Sequence, residues 1–247
     1  MKYDIYEAFK NLHIKPTATV FIHADAIVAA QLEFKKNNLK FLQNYIIKFL
    51  KKNGTIVVPA FNQKSFAEKK FFNVNKTKCD IGKFYEEFRK NKLITRTPHP
   101  FYSCSLYGKK KKKYLNANLN DCFGKNTIFD FLLKDNATLI NLGCKWQCTF
   151  VHYIEQKIGV DYRFFKIFSG KITINDKSRN ITTRYYVRNL LINAQYDLSR
   201  VENYLKKIKK INYTTFGRFE VSAAKIKDVF EAIIKLIKKD KKILLEK

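Results

Sequence analysis

The stretch that most constrains this chain is TLINLGCKWQCTFVHYIE, residues 138–155. Leu139, Ile140 and Leu142 read as a short buried strand and Gly143 as the turn that ends it. The residues beyond that turn read as a helix carrying Thr149, His152 and Glu155. A strand feeding a glycine turn and a helix that opens on polar groups is where α/β proteins hold ligands. His152 and Glu155 lie three positions apart, so their side chains share one helical face. Such a pair is by itself ordinary surface decoration, and its meaning depends on what the rest of the chain brings to it.

The remaining segments keep the rhythm of an α/β sheet. Residues 4–12 read as a helix and 18–22 as a strand running to His23, with Ala24, Asp25 and Ala26 as the turn beyond it. Residues 41–52 place Phe41, Leu42, Tyr45, Ile46, Phe49 and Leu50 at helical spacing, and Asn53-Gly54 stops the helix. TIVVPAF, 55–61, is a β-branched run and reads as a buried strand. The polar segment 62–80 reads as a long surface loop. Residues 82–90 form a short helix, and 93–108 a constrained turn, with prolines flanking His99, that runs into a strand. The lysine run 109–113 reads as a solvated loop or a landing pad for an anion. A turn at 121–124 and a helix over 127–134 precede the 138–155 stretch. After it, 162–174 and 181–190 read as a hairpin around Asn175-Asp176, and 196–211 and 221–239 as amphipathic helices. The expected fold is therefore α/β, a mixed sheet flanked by helices with a late antiparallel hairpin inserted. Neither a repeat nor a linker divides it, so one domain over 1–247 is expected.

Charge narrows the partners less than its size suggests. The formal net charge is +28, which points towards polyanions. Yet only 8 of the 49 basic residues are arginines, and the lysines are scattered along nearly every helix. Guanidinium forks that read bases or clamp phosphates are thus scarce, and nucleic-acid binding is the disfavoured alternative. No run of about 18 apolar residues and no secretion-signal pattern occurs, so a cytoplasmic protein without membrane insertion is expected. Five cysteines at 79, 104, 122, 144 and 148 lack paired zinc-ligand spacing. They read as buried, reduced thiols, with no metal.

Five separate segments resemble, in order and spacing, the aminoglycoside 3-N-acetyltransferase family of acetyl-CoA-dependent enzymes. They are VFIHADA (20–26), GTIVVPAF (54–61), IGKFYEEFRKNKLITRTPHPFYSCSLYG (81–108), FGKNTIFDFL (123–132) and LINLGCKWQCTFVHYIE (139–155). Two serines usual in the family after the first-strand histidine are Ala24 and Asp25 here, and Ala60-Phe61-Asn62 replaces its threonine-bearing strand end. Phe216-Gly217-Arg218 matches the closing glycine segment only loosely.

The resemblance implies acetyl transfer from acetyl-CoA to an amine, on a monomer or homodimer. It makes His152 the general base, Glu155 its orienting partner and Thr149 a cap or oxyanion donor. A first-turn position on the helix disfavours imidazolium, which suits a base. On the cofactor side it implies His23 and Ala24, whose turn offers N–H groups, with Arg96, Ser103 and Thr127 beside coenzyme A. On the acceptor side it implies Asp25 and His99, with the hairpin at about 162–190 forming part of that wall. Two acceptors fit: an aminoglycoside antibiotic, with resistance as the consequence, or a nucleotide-linked amino sugar of glycan or polysaccharide biosynthesis. The missing serines and the +28 charge, which Coulomb's law sets against a polycation, favour the second.

Overall fold

The computed structural model describes residues 4–32, 37–192 and 195–246. α1 (Ile5–Asn11) is capped by Asp4, whose carboxylate accepts the Tyr6 N–H. β1 (Thr19–Ala24) leads through a 3-10 turn (Ala26–Gln31) and α2 (Asn38–Leu50) to β2 (Thr55–Pro59). Next come α3 (Gln63–Lys69), β3 (Phe71–Asn73), α4 (Lys83–Arg89), β4 (Thr95–Arg96), β5 (Cys104–Gly108) and α5 (Lys111–Leu115). Then α6 (Ile128–Lys134), β6 (Thr138–Leu142) and α7 (Val151–Ile158) precede the long strands β7 (Arg163–Ile174) and β8 (Lys177–Arg188). α8 (Ser199–Lys207), β9 (Ile211–Phe216), β10 (Phe219–Lys225) and α9 (Ile226–Lys239) complete the elements.

Seven strands make one mixed sheet in the order β4-β5-β2-β1-β6-β10-β9. β1 runs parallel to both β2 and β6, while β5 and β10 flank these three antiparallel. Every residue of β1, β2 and β6 is buried, as strands covered by helices on both faces require. Alternate residues serve the two layers. Val20, Ile22, Ile140 and Leu142 pack towards α1, α2 and α4; Phe21, Val57 and Leu139 pack towards α6, α7 and α9. Both parallel neighbours of β1 end at the same edge, so His23, in register with Asn141, arrives where α7 begins.

The hairpin forms with Asn175 and Asp176 at φ 47° and 61°, the left-handed pair that a two-residue turn between twisted strands demands. It joins no strand of the main sheet. Instead β7 pairs in parallel with β3, giving a second sheet β3-β7-β8.

Four expectations are corrected. Segment 62–80 is no loop: Phe66 and Phe72 are fully buried and carry α3 and β3 with them. Isolated aromatics among lysines leave no periodicity to read, but each buries enough area to order its neighbours. The run 109–113 is partly helical, since Tyr114 buries its ring in α5 and Lys110 and Lys113 pair with Asp135. Finally, 221–225 belongs to a strand rather than to the last helix, and α8 stops at Lys207 instead of running to 211. Ala223 and Ala224 have little intrinsic strand preference; pairing with β6 decides their conformation.

Candidate active site

Gly143 ends β6 at φ 65°, and a Cβ there would sit 2.9 Å from the Val28 side chain, so the turn needs glycine. The loop beyond it is tied back by Asn141, whose Oδ1 accepts the Gln147 N–H at 2.8 Å. α7 then opens at Val151, which puts His152 in its first turn.

The His152 ring lies between the rings of Phe123 and Tyr196, each with its centroid 5.4 Å away. Nδ1 is 2.9 Å from Glu155 Oε2. Glu155 is fully buried; it also accepts from the Tyr196 hydroxyl at 2.7 Å and forms an ion pair with Arg163, whose Nε lies 2.9 Å from Oε2. Arg163 in turn donates to the Tyr196 oxygen and to the Tyr186 carbonyl. The carboxylate therefore has two donors, His152 and Tyr196, and a counter-charge in Arg163. Burial raises its pKa, but the bonds from His152 and Tyr196 and the Arg163 charge outweigh burial and hold it below the usual range. For His152, burial lowers the pKa below 6.5, and Arg163 adds to that effect against the opposing pull of Glu155. An ionised Glu155 accepts only, so Nδ1 carries the proton it shares and Nε2 keeps its lone pair.

That ring opens on a cavity of about 620 Å³ lined also by Trp146, Thr149, Asp197, Glu202, Glu220 and Lys145. Three carboxylates against one lysine invert the balance of the whole chain. Glu202 is braced from behind by Lys206 and the Tyr213 hydroxyl, and Arg200 stands 3.7 Å from Asp197.

Of the residues singled out from sequence, the structure gathers four. His152, Glu155 and Thr149 stand on or beside the start of α7, and His23 Nε2 lies 3.4 Å from Thr149 Oγ1. Burial lowers the His23 pKa to about 4, so this ring is neutral. Thr149 does not cap α7 through its hydroxyl; only its carbonyl meets the His152 N–H.

The other six are engaged elsewhere. The Ala24 N–H donates to the Tyr85 hydroxyl, and Asp25 caps the 3-10 turn by accepting the Ile27 N–H. Arg96 is buried and commits its guanidinium to Ser103, Val74, Thr77, Ala60 and Asn62, which leaves no donor for a phosphate. Ser103 donates to the Ala60 carbonyl. Thr127 caps α6 by accepting the Asp130 N–H and donates to the Gly124 carbonyl. His99 accepts the Phe101 and Tyr102 N–H groups at Nδ1 and donates from Nε2 to the Asp121 carbonyl, so its ring locks a turn.

Two partners of the site had no sequence signal of their own. A buried carboxylate demands a cation, and Arg163 is one of only eight arginines in the chain, which is the single clue to it. Tyr196, expected at the start of a helix over 196–211, lies in the loop before α8.

Among the described residues no group of histidine, cysteine and carboxylate side chains is arranged for a metal ion, and no helix is long and apolar enough to cross a membrane. None of the five cysteines pairs in a disulfide, and burial raises the Cys79 and Cys144 pKa values to about 11.

Comparison with known proteins bears on the fold. No curated protein sequence matches the chain. In structure it is similar to AAC-IIIb in binary complex with CoASH (11% identity over 95% of this chain and 94% of the other, TM-score 0.81). It is likewise similar to sisomicin-bound AAC-VIa (14%, covering 95% and 96%, TM-score 0.80). YokD from Bacillus subtilis also shares the fold (18%, covering 96% and 93%, TM-score 0.77). The sequence model described as aminoglycoside 3-N-acetyltransferase matches residues 29–238, a span that contains α7 and its partners and most of both sheets. On that match the chain belongs to the aminoglycoside 3-N-acetyltransferase family and is an acetyltransferase.

Proposed function

We propose that the protein transfers the acetyl group of acetyl-CoA to an amine of a polycationic amino sugar of the aminoglycoside class, with His152 as general base. The observation that carries this reading is the acidic cavity beside the unengaged Nε2 of His152. An acceptor ammonium has no lone pair, so a base must take its proton before nitrogen can attack the thioester carbon. His152 Nε2 takes that proton while Nδ1–H stays bonded to Glu155, and the charge that develops on the ring is met by the buried carboxylate. As the C–N bond forms and the C–S bond breaks, His152 returns that proton through Nε2 to the departing sulfur, and the attacking nitrogen releases its second proton to solvent, leaving a neutral amide and a free thiol. Neutral His23 lies with Nε2 3.4 Å from Thr149 Oγ1; in the tautomer protonated at Nε2 it donates to that oxygen and leaves the hydroxyl proton for the oxyanion.

The choice of acceptor reverses the expectation from overall charge. A net +28 favours an anionic, nucleotide-linked sugar, but an acceptor senses the wall it touches more than charges beyond the Debye length. Asp197, Glu202 and Glu220 suit ammonium groups and would repel a pyrophosphate. The family match and the sisomicin complex of a similar fold support the same direction.

Thiol release measured against a panel of aminoglycosides and nucleotide-linked amino sugars tests the reading. Turnover with the former and not the latter is expected. Turnover confined to nucleotide-linked sugars, or undiminished transfer by His152→Ala, would overturn it.

A further inference from the structure

The acceptor wall is held by a segment beyond the family match. Residues 195–197 pair antiparallel with 244–246: the Asp197 N–H donates to the Leu244 carbonyl at 3.0 Å and the Glu246 N–H to the Gln195 carbonyl at 2.9 Å, around a Tyr196–Leu245 bridge. Leu244 and Leu245 are buried, so this segment is anchored in the core. Arg200, in the first turn of α8, donates from one guanidinium nitrogen to the carbonyls of both Ile243 and Leu245 at 2.9 Å, while its other nitrogen faces Asp197 at 3.7 Å. The family match ends at residue 238. Tyr196, Asp197, Ser199 and Glu202, all on the cavity wall, thus take their position from a strap that lies outside it.

We propose that the strap 240–246, clamped by Arg200, sets the affinity for the acceptor, with Arg200 as a positioning residue. It rests on the acetyl-transfer reading for its kinetic consequence alone. Two substitutions separate position from charge. If Arg200 acted only through its charge, Arg200→Gln would make the wall more acidic and lower the KM of a cationic acceptor, and Arg200→Lys would match the wild type. If the planar fork holds the strap, both substitutions loosen it, because an ammonium cannot reproduce the two-carbonyl clamp on the same geometry.

The experiment is steady-state thiol release by wild type, Arg200→Lys and Arg200→Gln with a polycationic aminoglycoside, together with amide hydrogen exchange of 195–202. Acceptor KM is expected to rise about tenfold in both variants, with acetyl-CoA KM unchanged and exchange of 195–202 faster while β1 and β6 stay protected. A wild-type-like Arg200→Lys beside a lowered KM in Arg200→Gln overturns the proposal, and so does unchanged exchange. A wild type inert towards every amine sinks the proposed function, and the exchange comparison then still decides the strap.

Discussion

His152 and His99 make an instructive pair. Both are histidines on aromatic-lined ground, and burial lowers the pKa of each, to about 4 for His99. They differ in what their nitrogens do. His99 has both engaged by backbone groups of its own turn and of Asp121. His152 gives one to a buried carboxylate and leaves the other without a hydrogen-bond partner among the described residues, on a ring that lines the cavity. A depressed pKa therefore marks burial, and the unengaged nitrogen is what leaves a ring free to exchange a proton. The same distinction separates Glu155, whose charge is matched by Arg163, from Asp25, whose carboxylate only caps a turn.

The sharpest way to break the contrast is to truncate both rings. His152→Ala is expected to lower kcat by about 10²- to 10⁴-fold in the thiol-release assay, the usual contribution of a positioned base. His99→Ala should leave kcat within a few-fold and lower the melting temperature instead, as two backbone donors lose their acceptor. Equal kinetic damage from the two would erase the distinction.

Removing Glu155 tests its matched charge. Glu155→Ala leaves Arg163 buried without a counter-charge, and a loss of about 3–5 kcal/mol in chemical denaturation is expected. A loss below about 1 kcal/mol would mean that Arg163 finds water or another acceptor, and that the pair behaves as an exposed one.

Acid should expose the neutral histidines. For His23 and His99 the folded pKa is about 4 against 6.5 when unfolded, so between these values the unfolded chain binds more protons. Stability then falls as pH falls from 6.5 towards 4, by up to about 3 kcal/mol for each ring. Urea denaturation of wild type and His99→Gln across that window checks it: the variant should show the shallower slope.

The smallest effect is expected at the acidic wall. Glu220→Gln removes one carboxylate from a solvent-open cavity and should raise acceptor KM only a few-fold, with the difference shrinking as salt rises. A KM that falls would contradict a cationic acceptor.

Which parts were legible in the sequence depends on the force that fixes each. β1, β2 and β6 are largely apolar runs buried on both faces, and α2 and α6 repeat apolar residues at helical spacing; such elements announce themselves. β10 and β3 owe their state to a neighbouring strand far away in sequence, which no local pattern records. In the site, His152 and Glu155 share one helix, so spacing alone joins them. Arg163 and Tyr196 come from β7 and from the loop before α8, and only folding brings them to Glu155. Arg96 and His99 misled for a related reason: a motif shows which residues recur together, while only the count of engaged donors shows whether they face inwards or towards a ligand. Global charge and the cavity wall point to different acceptors, because the carboxylates of the cavity are few and drawn from α8, β10 and the loop before α8.

The central claim is that His152 works as a neutral base with its Nδ1–H held by ionised Glu155. Its most direct test is the pH dependence of kcat/KM for acetyl transfer to a polycationic aminoglycoside, in wild type and His152→Ala. Because protonated Nε2 cannot accept, the rate should fall as pH falls through the His152 pKa, on a limb below 6.5 that the variant lacks. An acid limb at or above 6.5, or one that survives the loss of the ring, would contradict it.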